Sequence, residues 1–326
     1  MNGRSILSML AMLVMAAAGP GFISRAWGQG TRTEIHPVRS VTLSEQEFLT
    51  GATGGQPVVL AGELRLPRAS ARLPVVVLVH GSGGVGSNVI RWAEELNASG
   101  LGTFVLDHFS GRGIMQTATD QAQLAHVAMI ADAYRALEFL ARHPRVDPTR
   151  IAVMGFSKGG FAALYASLKR FQRLHAPAGL EFAAYVAFYP ICIRTYIDDE
   201  QVSGHPIRVF HGAADDWLPV EACRDYVARL RRAGKDATLT EYPGAQHGFD
   251  THTLPPALHL PNVQAGPTCR LEERPGGQMV FRDTGQPFGL DHPCVRRGAT
   301  IGYDPQAHQV ALKAVKDFLA STFNRP

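Results

Sequence analysis

The sequence predicts an α/β protein built on a mostly parallel β-sheet with helices on both faces. Residues 75–79 (VVVLV) and 151–154 (IAVM) are short, unbroken apolar runs. Such runs are typical of strands that are buried on both faces. Similar strands alternate with segments of helical apolar spacing over most of the chain, and this alternation indicates consecutive βα units.

Strands are predicted, in chain order, over residues 58–66, 75–79, 103–106, 151–154, 185–188, 209–210 and 239–242. Helices are predicted over residues 89–99 and 124–142, from residue 158 onward, around 224–230 and over 310–319. We expect residues 29–326 to form a single domain, in which residues 29–50 show no clear pattern. Residues 250–304 are rich in Pro and Gly and predict an irregular insertion, and a loop of that length is usually functional or tied down.

The bulk composition is that of an ordinary globular protein. The chain has 326 residues, of which 45% are hydrophobic and 18% are charged. A core of this size does not depend on metal or disulfide staples. The formal net charge is only +4, and no dense Lys/Arg run is present, so we expect no nucleic-acid partner. The sequence leaves the oligomeric state open.

The N-terminus resembles a secretory signal peptide over residues 1–28. Arg4 precedes an apolar stretch at residues 6–18, and residues 26–28 (AWG) supply the small residues that a signal peptidase recognises. The apolar stretch is shorter than a typical membrane span. We therefore expect an exported protein, periplasmic or extracellular, without stable membrane insertion. An uncleaved anchor is the alternative.

A candidate nucleophile lies in the segment Gly155-Phe156-Ser157-Lys158-Gly159, which matches G-x-S-x-G. The segment follows a predicted buried strand and begins a predicted helix. Small residues allow the tight, strained turn that projects a Ser hydroxyl above the sheet. We interpret Ser157 as the nucleophile; the alternative is a Gly-rich turn that only packs or binds phosphate.

Two further residues suit a base and an acid. A Ser hydroxyl needs a positioned base, and His247 follows the last predicted strand. Asp215 lies between Ser157 and His247 in the chain and could orient the imidazole and stabilise its charged form. Asp216 is the rival for the acid.

A candidate oxyanion hole follows the strand at residues 75–79. Gly81, Ser82 and Gly83 could bring backbone N–H groups close to a substrate carbonyl oxygen, and the backbone N–H of Lys158 would be another donor. All of these candidate groups lie at the C-terminal ends of predicted strands.

Other polar residues have weaker assignments. Arg112 lies in a loop on the same side of the sheet and could bind a substrate carboxylate, or could pair with a neighbouring acid. Trp217 is a candidate for packing or for substrate contact. The spacing of His252 and His259 near Asp250 matches no standard metal site. We therefore interpret these histidines as polar loop residues and expect neither metal nor cofactor.

The four cysteines allow three disulfide pairings and show no C-x-x-C spacing typical of zinc sites. We predict a bridge from Cys192 to Cys223, because these residues follow neighbouring predicted strands. We predict a second bridge from Cys269 to Cys294, within the insertion. The two other pairings remain open.

Four motifs together resemble the dienelactone hydrolase family over about residues 55–323. They lie at residues 78–84, 155–160, 215–217 and 243–249. The resemblance implies an α/β-hydrolase fold and hydrolysis of an ester or lactone. By motif position it also assigns Ser157, Asp215 and His247 as the catalytic triad.

The chain departs from the namesake enzymes, which use a Cys nucleophile in the cytoplasm. It is more similar to exported members with a Ser nucleophile. We therefore expect an exported serine hydrolase that cleaves a small-molecule carboxylic ester or lactone through an acyl-enzyme. A peptidase or acyltransferase with the same triad is the alternative, followed by a non-catalytic binding protein on this scaffold.

Overall fold

The computed structural model describes residues 30–69 and 71–324, and the chain from Thr31 onward forms one compact unit. The predicted signal peptide lies outside the described residues. The strands are β1 (Arg32–Thr42), β2 (Gln56–Leu66), β3 (Leu73–Val79), β4 (Gly102–Asp107), β5 (Val146–Phe156), β6 (Ala184–Phe188), β7 (Arg194–Thr195), β8 (Ile207–Gly212), β9 (Ala237–Tyr242), β10 (Leu258–Ala265), β11 (Leu271–Arg274), β12 (Gln278–Phe281) and β13 (Arg296–Ile301). The helices are α1 (Glu45–Thr50), α2 (Ser87–Ala98), α3 (His126–Ala141), α4 (Lys158–Tyr165), α5 (Lys169–His175), α6 (Glu221–Arg232) and α7 (Pro305–Phe323).

The main sheet has the strand order β1-β2-β4-β3-β5-β6-β8-β9. All pairings from β4 through β9 are parallel, whereas β1 and β2 add an antiparallel edge. The mostly parallel sheet predicted from the sequence is confirmed. Because the parallel strands share one direction, the loops after β3, β5, β8 and β9 meet at one edge of the sheet.

Helices cover both faces of this sheet. Along β3, Val75, Val77 and Val79 point to one face and belong to the apolar core that also contains residues of α3, α4 and α6. Val76 and Leu78 point to the other face and belong to the core that also contains residues of α2 and α7. Two apolar cores, one on each face, explain why these strands are unbroken apolar runs. Among the described residues, no helix is long and apolar enough to cross a membrane.

The residues before β2 are more regular than their sequence pattern indicates. Strand β1 pairs with β2 along its whole length. Helix α1 begins at a capping box, in which the Ser44 side chain accepts the N–H of Glu47 and the Glu47 carboxylate accepts the N–H of Ser44. The S-x-x-E signature of that box is present in the sequence, and the sequence interpretation missed it.

The insertion at residues 250–304 is likewise less irregular than its composition suggests. Strands β10 and β13 form an antiparallel pair, and β12, β11 and β7 form a small three-stranded sheet. The β10–β13 pair packs on the loop that carries Asp215, through an apolar cluster of Trp217, Leu218, Val263, Ala265 and Ala299. The insertion therefore builds one wall beside the C-terminal edge of the main sheet.

Both predicted disulfides are present in the structure. Cys192 and Cys223 are bonded with their Cα atoms 5.0 Å apart, and Cys269 and Cys294 with theirs 5.1 Å apart. Among the described residues no cysteine is free. The first bridge connects the segment after β6 to the start of α6, and the second connects two positions within the insertion.

Removing the Cys269–Cys294 bridge is expected to destabilise the fold. The bond closes a loop with a sequence separation of 25 residues, and in the chain-entropy model a cross-link across a loop of this size stabilises the fold by about 3.5 kcal/mol. Urea unfolding of the double variant Cys269→Ser/Cys294→Ser measures the loss in free energy of unfolding. Equal stability of the variant and the parent would show that the bridge does not constrain the unfolded chain.

Candidate active site

Ser157 occupies a sharp turn between β5 and α4. Its backbone angles, φ 54° and ψ −115°, lie in a region that non-glycine residues rarely adopt. The N–H of Ser157 donates to the carbonyl oxygen of Phe188 at the end of β6, at 3.0 Å. This anchorage holds the strained turn at the C-terminal edge of the sheet.

The turn requires glycine at two positions because neighbouring backbone atoms leave no room for a Cβ atom. A Cβ atom on Gly155 would lie 2.0 Å from the carbonyl oxygen of Gly159, and one on Gly159 would lie 2.1 Å from the carbonyl oxygen of Val79. Because both obstacles are backbone atoms, neither position can take a side chain without moving the strands. The motif is thus a packing requirement of the β5–α4 turn.

Replacing Gly159 by alanine is expected to lower the free energy of unfolding by at least about 3 kcal/mol, as large steric clashes in cores do. Gly204→Ala is the matched control, since a Cβ there meets no atom within 4 Å and Gly204 is not among the glycines with positive φ. Urea unfolding of both variants makes the comparison. Equal stability of the two would contradict the clash.

The structure brings Ser157, His247 and Asp215 into one hydrogen-bonded row. Nε2 of His247 lies 3.0 Å from Oγ of Ser157, and Nδ1 lies 2.7 Å from Oδ2 of Asp215. The other carboxylate oxygen of Asp215 accepts the backbone N–H groups of Trp217 and Leu218, at 3.0 and 2.8 Å. Both oxygens of this buried carboxylate therefore have fixed partners.

The rival acid, Asp216, lies elsewhere. Its carboxylate accepts the N–H and the hydroxyl of Thr300 on β13, at 2.7 and 2.9 Å. It ties the insertion to the loop after β8. The geometry thus separates two adjacent carboxylates that the sequence left as competitors.

Aromatic rings hold the His247 imidazole from two sides. The ring of Tyr189 lies 4.6 Å from it and the ring of Trp217 lies 4.9 Å from it, centroid to centroid. Tyr189 donates its hydroxyl to Asp250, which also accepts the indole N–H of Trp92. Burial raises the pKa of Tyr189 well above its ordinary value, so its hydroxyl keeps the proton and stays a donor.

The structure places two of the predicted oxyanion-hole residues, Gly81 and Ser82, near Ser157. A Cβ on Gly81 would lie 3.3 Å from Cβ of Ser157, whereas one on Gly83 would face open space. Ser82 lines the same cavity as Ser157. Lys158 is the first residue of α4, so its backbone N–H has no partner within the helix. Gly81 and Ser82 are thus close enough to Ser157 to be considered as parts of an oxyanion hole.

The cavity beside Ser157 is mainly apolar with a few polar groups. Its polar lining includes Gln121, His126, Arg194 and Gln264, all of which the sequence analysis missed. Arg194 is almost completely buried and pairs with Glu45 of α1. No motif marks these residues, because β7, the loop before α3 and the insertion meet only in the folded chain.

The structure distinguishes between the roles that the sequence left open for three polar or aromatic residues. Of the two roles considered for Arg112, the structure shows the pairing with an acid, and the substrate-carboxylate role needs correction. Its guanidinium donates to both oxygens of the buried Asp132, at 2.8 and 3.0 Å, and it does not line the cavity beside Ser157. Trp217 does line that cavity, and its indole N–H donates to the carbonyl oxygen of Gln264. His259 lies on β10, so it is a strand residue rather than a loop residue.

One group of potential metal ligands stands out among the described residues: Glu34, His36 and His143. Oε2 of Glu34 lies 2.8 Å from the ring of His36 and 3.3 Å from that of His143, and Oε1 accepts Arg32. These hydrogen bonds occupy both carboxylate oxygens and account for the cluster. None of these three residues lines the cavity beside Ser157.

The sequence model of the dienelactone hydrolase family matches residues 60–323. This span includes the whole site, from Gly81 to His247. The chain belongs to the dienelactone hydrolase family. As a member of the dienelactone hydrolase family, it has the α/β-hydrolase fold and is a carboxylic-ester hydrolase.

Individual relatives are distant from this dienelactone hydrolase family member. The chain is 24% identical over 206 residues to the "Probable 2-oxo-3-(5-oxofuran-2-ylidene)propanoate lactonase" of Bradyrhizobium sp, covering 59% of this chain and 81% of that one. A dienelactone hydrolase-like promiscuous phosphotriesterase from metagenomic libraries has a similar structure, with 18% identity, TM-score 0.56 and coverage of 89% and 98%. A thermophilic esterase of Thermogutta terrifontis aligns with 20% identity, TM-score 0.53 and coverage of 81% and 90%. These structural likenesses establish the fold.

Proposed function

We propose that this protein is an exported serine hydrolase that cleaves small-molecule carboxylic esters or lactones through an acyl-enzyme. The observation that carries the proposal is the row from Asp215 through His247 to Ser157, with hydrogen-bond distances of 2.7 and 3.0 Å. A base within about 3.2 Å of the hydroxyl oxygen, oriented by a carboxylate, is the arrangement that activates a Ser nucleophile. The name of the Bradyrhizobium relative, a lactonase, supports including lactones.

In the acylation step, Oγ of Ser157 attacks the substrate carbonyl carbon while Nε2 of His247 takes the hydroxyl proton. The carbonyl oxygen becomes an oxyanion and accepts backbone N–H groups of the Gly81–Gly83 loop and of Lys158. The imidazolium, stabilised by Asp215, then gives its proton to the ester oxygen. The C–O bond breaks, the alcohol leaves, and the acyl group stays on Ser157; with a lactone the alcohol remains part of the acyl chain.

Deacylation follows the same steps with water as the nucleophile. His247 takes a proton from the water as its oxygen attacks the acyl carbon, and the oxyanion occupies the same donors. Collapse of the intermediate returns the proton to Oγ of Ser157 and releases the carboxylic acid. The indole of Trp217 lies at the wall of the cavity, and we propose that it contacts the substrate there.

Two features support export. Residues 1–28 have the pattern of a signal peptide, and the structure contains two disulfides, a bond typical of oxidising compartments. Expression of the full chain in a bacterium, followed by cell fractionation and intact mass of the purified protein, tests the assignment. A cytoplasmic protein that retains residues 1–28 would overturn export while leaving the enzymatic proposal in place.

A fluorophosphonate probe tests the enzymatic proposal directly. The probe phosphonylates an activated Ser, so we expect a single adduct on the peptide that contains Ser157, together with loss of ester hydrolysis. Asp215→Asn is the matched control, because it keeps the hydroxyl but removes its activation. Labelling that is equally fast in both proteins, or an adduct on another residue, would contradict the triad. A panel of esters, lactones and peptides on the same preparation defines the bond that is cleaved.

A further inference from the structure

The side chain of Lys158, the residue after the candidate nucleophile, is completely buried. Its ammonium lies within hydrogen-bond distance of four oxygens: the carbonyl of Leu124 at 2.7 Å, Oε1 and the carbonyl of Gln121 at 3.2 and 3.5 Å, and the hydroxyl of Thr117 at 3.4 Å. All four are neutral groups. Within the part of the chain that the structure describes, no carboxylate lies within 4.0 Å of this ammonium.

A buried charge without a counter-ion is costly, and buried ammonium groups normally have an acidic partner. The fold therefore keeps a destabilising group directly under the nucleophile turn. Strongly perturbed, buried charges of this kind cluster at functional sites.

The oxygens that hold Lys158 belong to a segment that also holds the candidate oxyanion loop. The N–H of Thr117 donates to the carbonyl oxygen of Ser82 at 2.8 Å, and Nε2 of Gln121 donates to the hydroxyl of Ser82 at 3.1 Å. Gln121, Ser82 and Ser157 line one cavity. A chain of oriented dipoles thus runs from the Lys158 ammonium through the Gln121 amide to Ser82.

We propose that the Lys158 side chain is a positioning residue whose positive charge, acting through Gln121 and Ser82, stabilises the oxyanion that forms beside Ser157. Preorganised charge in a water-poor site stabilises a developing anion more than it would in water. The inference rests on the proposed hydrolytic function. The backbone N–H of Lys158 is already a candidate donor in that function, and the inference adds the side chain of the same residue.

Burial makes this ammonium titratable near neutral pH. Burial, followed by the nearby Arg194, lowers the pKa of Lys158 to about 7, while Asp120 opposes the shift. Burial also lowers the pKa of the neighbouring His80 to about 3, and lowers that of His126 well below its ordinary value. Both imidazoles are therefore neutral in the pH range where Lys158 titrates, so Lys158 is the group of this set that changes charge there.

The sign of the pH effect follows from the direction of the shift. The ammonium is present below its folded pKa and is lost as pH rises through it, so its contribution to catalysis fades on the alkaline side. Because the folded pKa is lower than the unfolded one, the unfolded chain binds more protons and the group costs stability at low pH. Removing the charge should therefore cost activity without costing stability.

The test compares Lys158→Met and Lys158→Arg with the parent enzyme on p-nitrophenyl acetate between about pH 6 and pH 9. At pH 6 we expect Lys158→Met to lower kcat/KM about 10-fold or more, since oxyanion stabilisation acts on this ratio. The parent should lose kcat/KM as pH rises above about 7, and Lys158→Met should lack that decline. Lys158→Arg keeps a charge that does not titrate, so it should retain more activity than Lys158→Met and also lack the decline.

Stability measurements distinguish oxyanion stabilisation by Lys158 from a purely structural role of its side chain. We expect the Tm of Lys158→Met at pH 6 to equal or exceed that of the parent, and a lower Tm with an unchanged pH profile would overturn the proposal. A kcat/KM within twofold of the parent would overturn it as well. Lys313→Met, at a position with a mostly exposed side chain, is the control and should change neither readout. We expect a fluorophosphonate to label Ser157 in Lys158→Met, but more slowly than in the parent, and such labelling shows that the nucleophile itself is intact. Absence of labelling in both proteins would instead refute the hydrolytic function.

Discussion

Replacing Ser157 by alanine is expected to lower kcat for ester hydrolysis by about 10⁴-fold or more, the size of typical nucleophile losses in catalytic triads. The hydroxyl is the atom that His247 contacts at 3.0 Å, and alanine leaves nothing there to form an acyl-enzyme. The backbone anchorage to Phe188 uses the N–H of residue 157, which alanine keeps. The variant should therefore fold, with a Tm close to that of the parent.

Ser167→Ala is the matched control for this variant. Ser167 is also buried, lies just after α4, and donates its hydroxyl to the carbonyl oxygen of Leu164 at 2.6 Å. Losing that bond should cost about 1 kcal/mol of unfolding free energy and leave kcat within about twofold. Steady-state kinetics and urea unfolding of both variants make the comparison. Residual kcat above about 1% in Ser157→Ala would rule out Ser157 as the nucleophile.

The central sheet was readable from the sequence because its strands are buried on both faces. Residues 75–79 of β3 and 151–156 of β5 are all buried between the helix layers, so apolar residues run there without interruption. Strand β1 was missed, since it lies at an edge, is partly exposed, and mixes charged residues with Pro37. Strands β10 to β13 were missed for a similar reason: they are short and many of their residues are exposed.

The positions of the site residues could be predicted where a rule of the fold applies. Ser157, Asp215 and His247 each follow a parallel strand, and those strand ends meet at one edge of the sheet. Motif position favoured Asp215 over Asp216, but the residue pattern alone left Asp216 as a rival, because adjacent residues differ only in the direction of their side chains. The structure directs one carboxylate to His247 and the other to Thr300.

Long-range contacts whose residues carry no motif could not be predicted. Tyr189, Asp250 and Trp92 form one hydrogen-bonded group behind His247 although Trp92 and Asp250 are 158 residues apart. Arg194 reaches the cavity from a two-residue strand that exists only through its pairing with the insertion. Neither arrangement has a local sequence signature, since it depends on packing between distant segments.

Asp215→Asn is expected to lower kcat by about 10⁴-fold, because an amide in this position selects the wrong imidazole tautomer. The backbone N–H groups of Trp217 and Leu218 donate to one oxygen of the carboxylate, so the amide oxygen of asparagine will occupy that place. Its NH₂ group then faces Nδ1 of His247, which must become an acceptor. The ring proton moves to Nε2, where it points at Ser157 and blocks proton transfer from the hydroxyl.

Asp216→Asn, one residue away, provides the matched comparison because its partners are the N–H and hydroxyl of Thr300. An amide replaces one acceptor with a donor, so we expect a loss of about 1–2 kcal/mol of unfolding free energy and a kcat within a few-fold of the parent. Kinetics and urea unfolding of the two variants thus yield opposite patterns: activity falls in Asp215→Asn, and stability falls in Asp216→Asn. A larger loss of kcat in Asp216→Asn would transfer the acid's role to that residue, and it would require the loop after β8 to rearrange before catalysis, since the carboxylate that contacts His247 in the structure is that of Asp215.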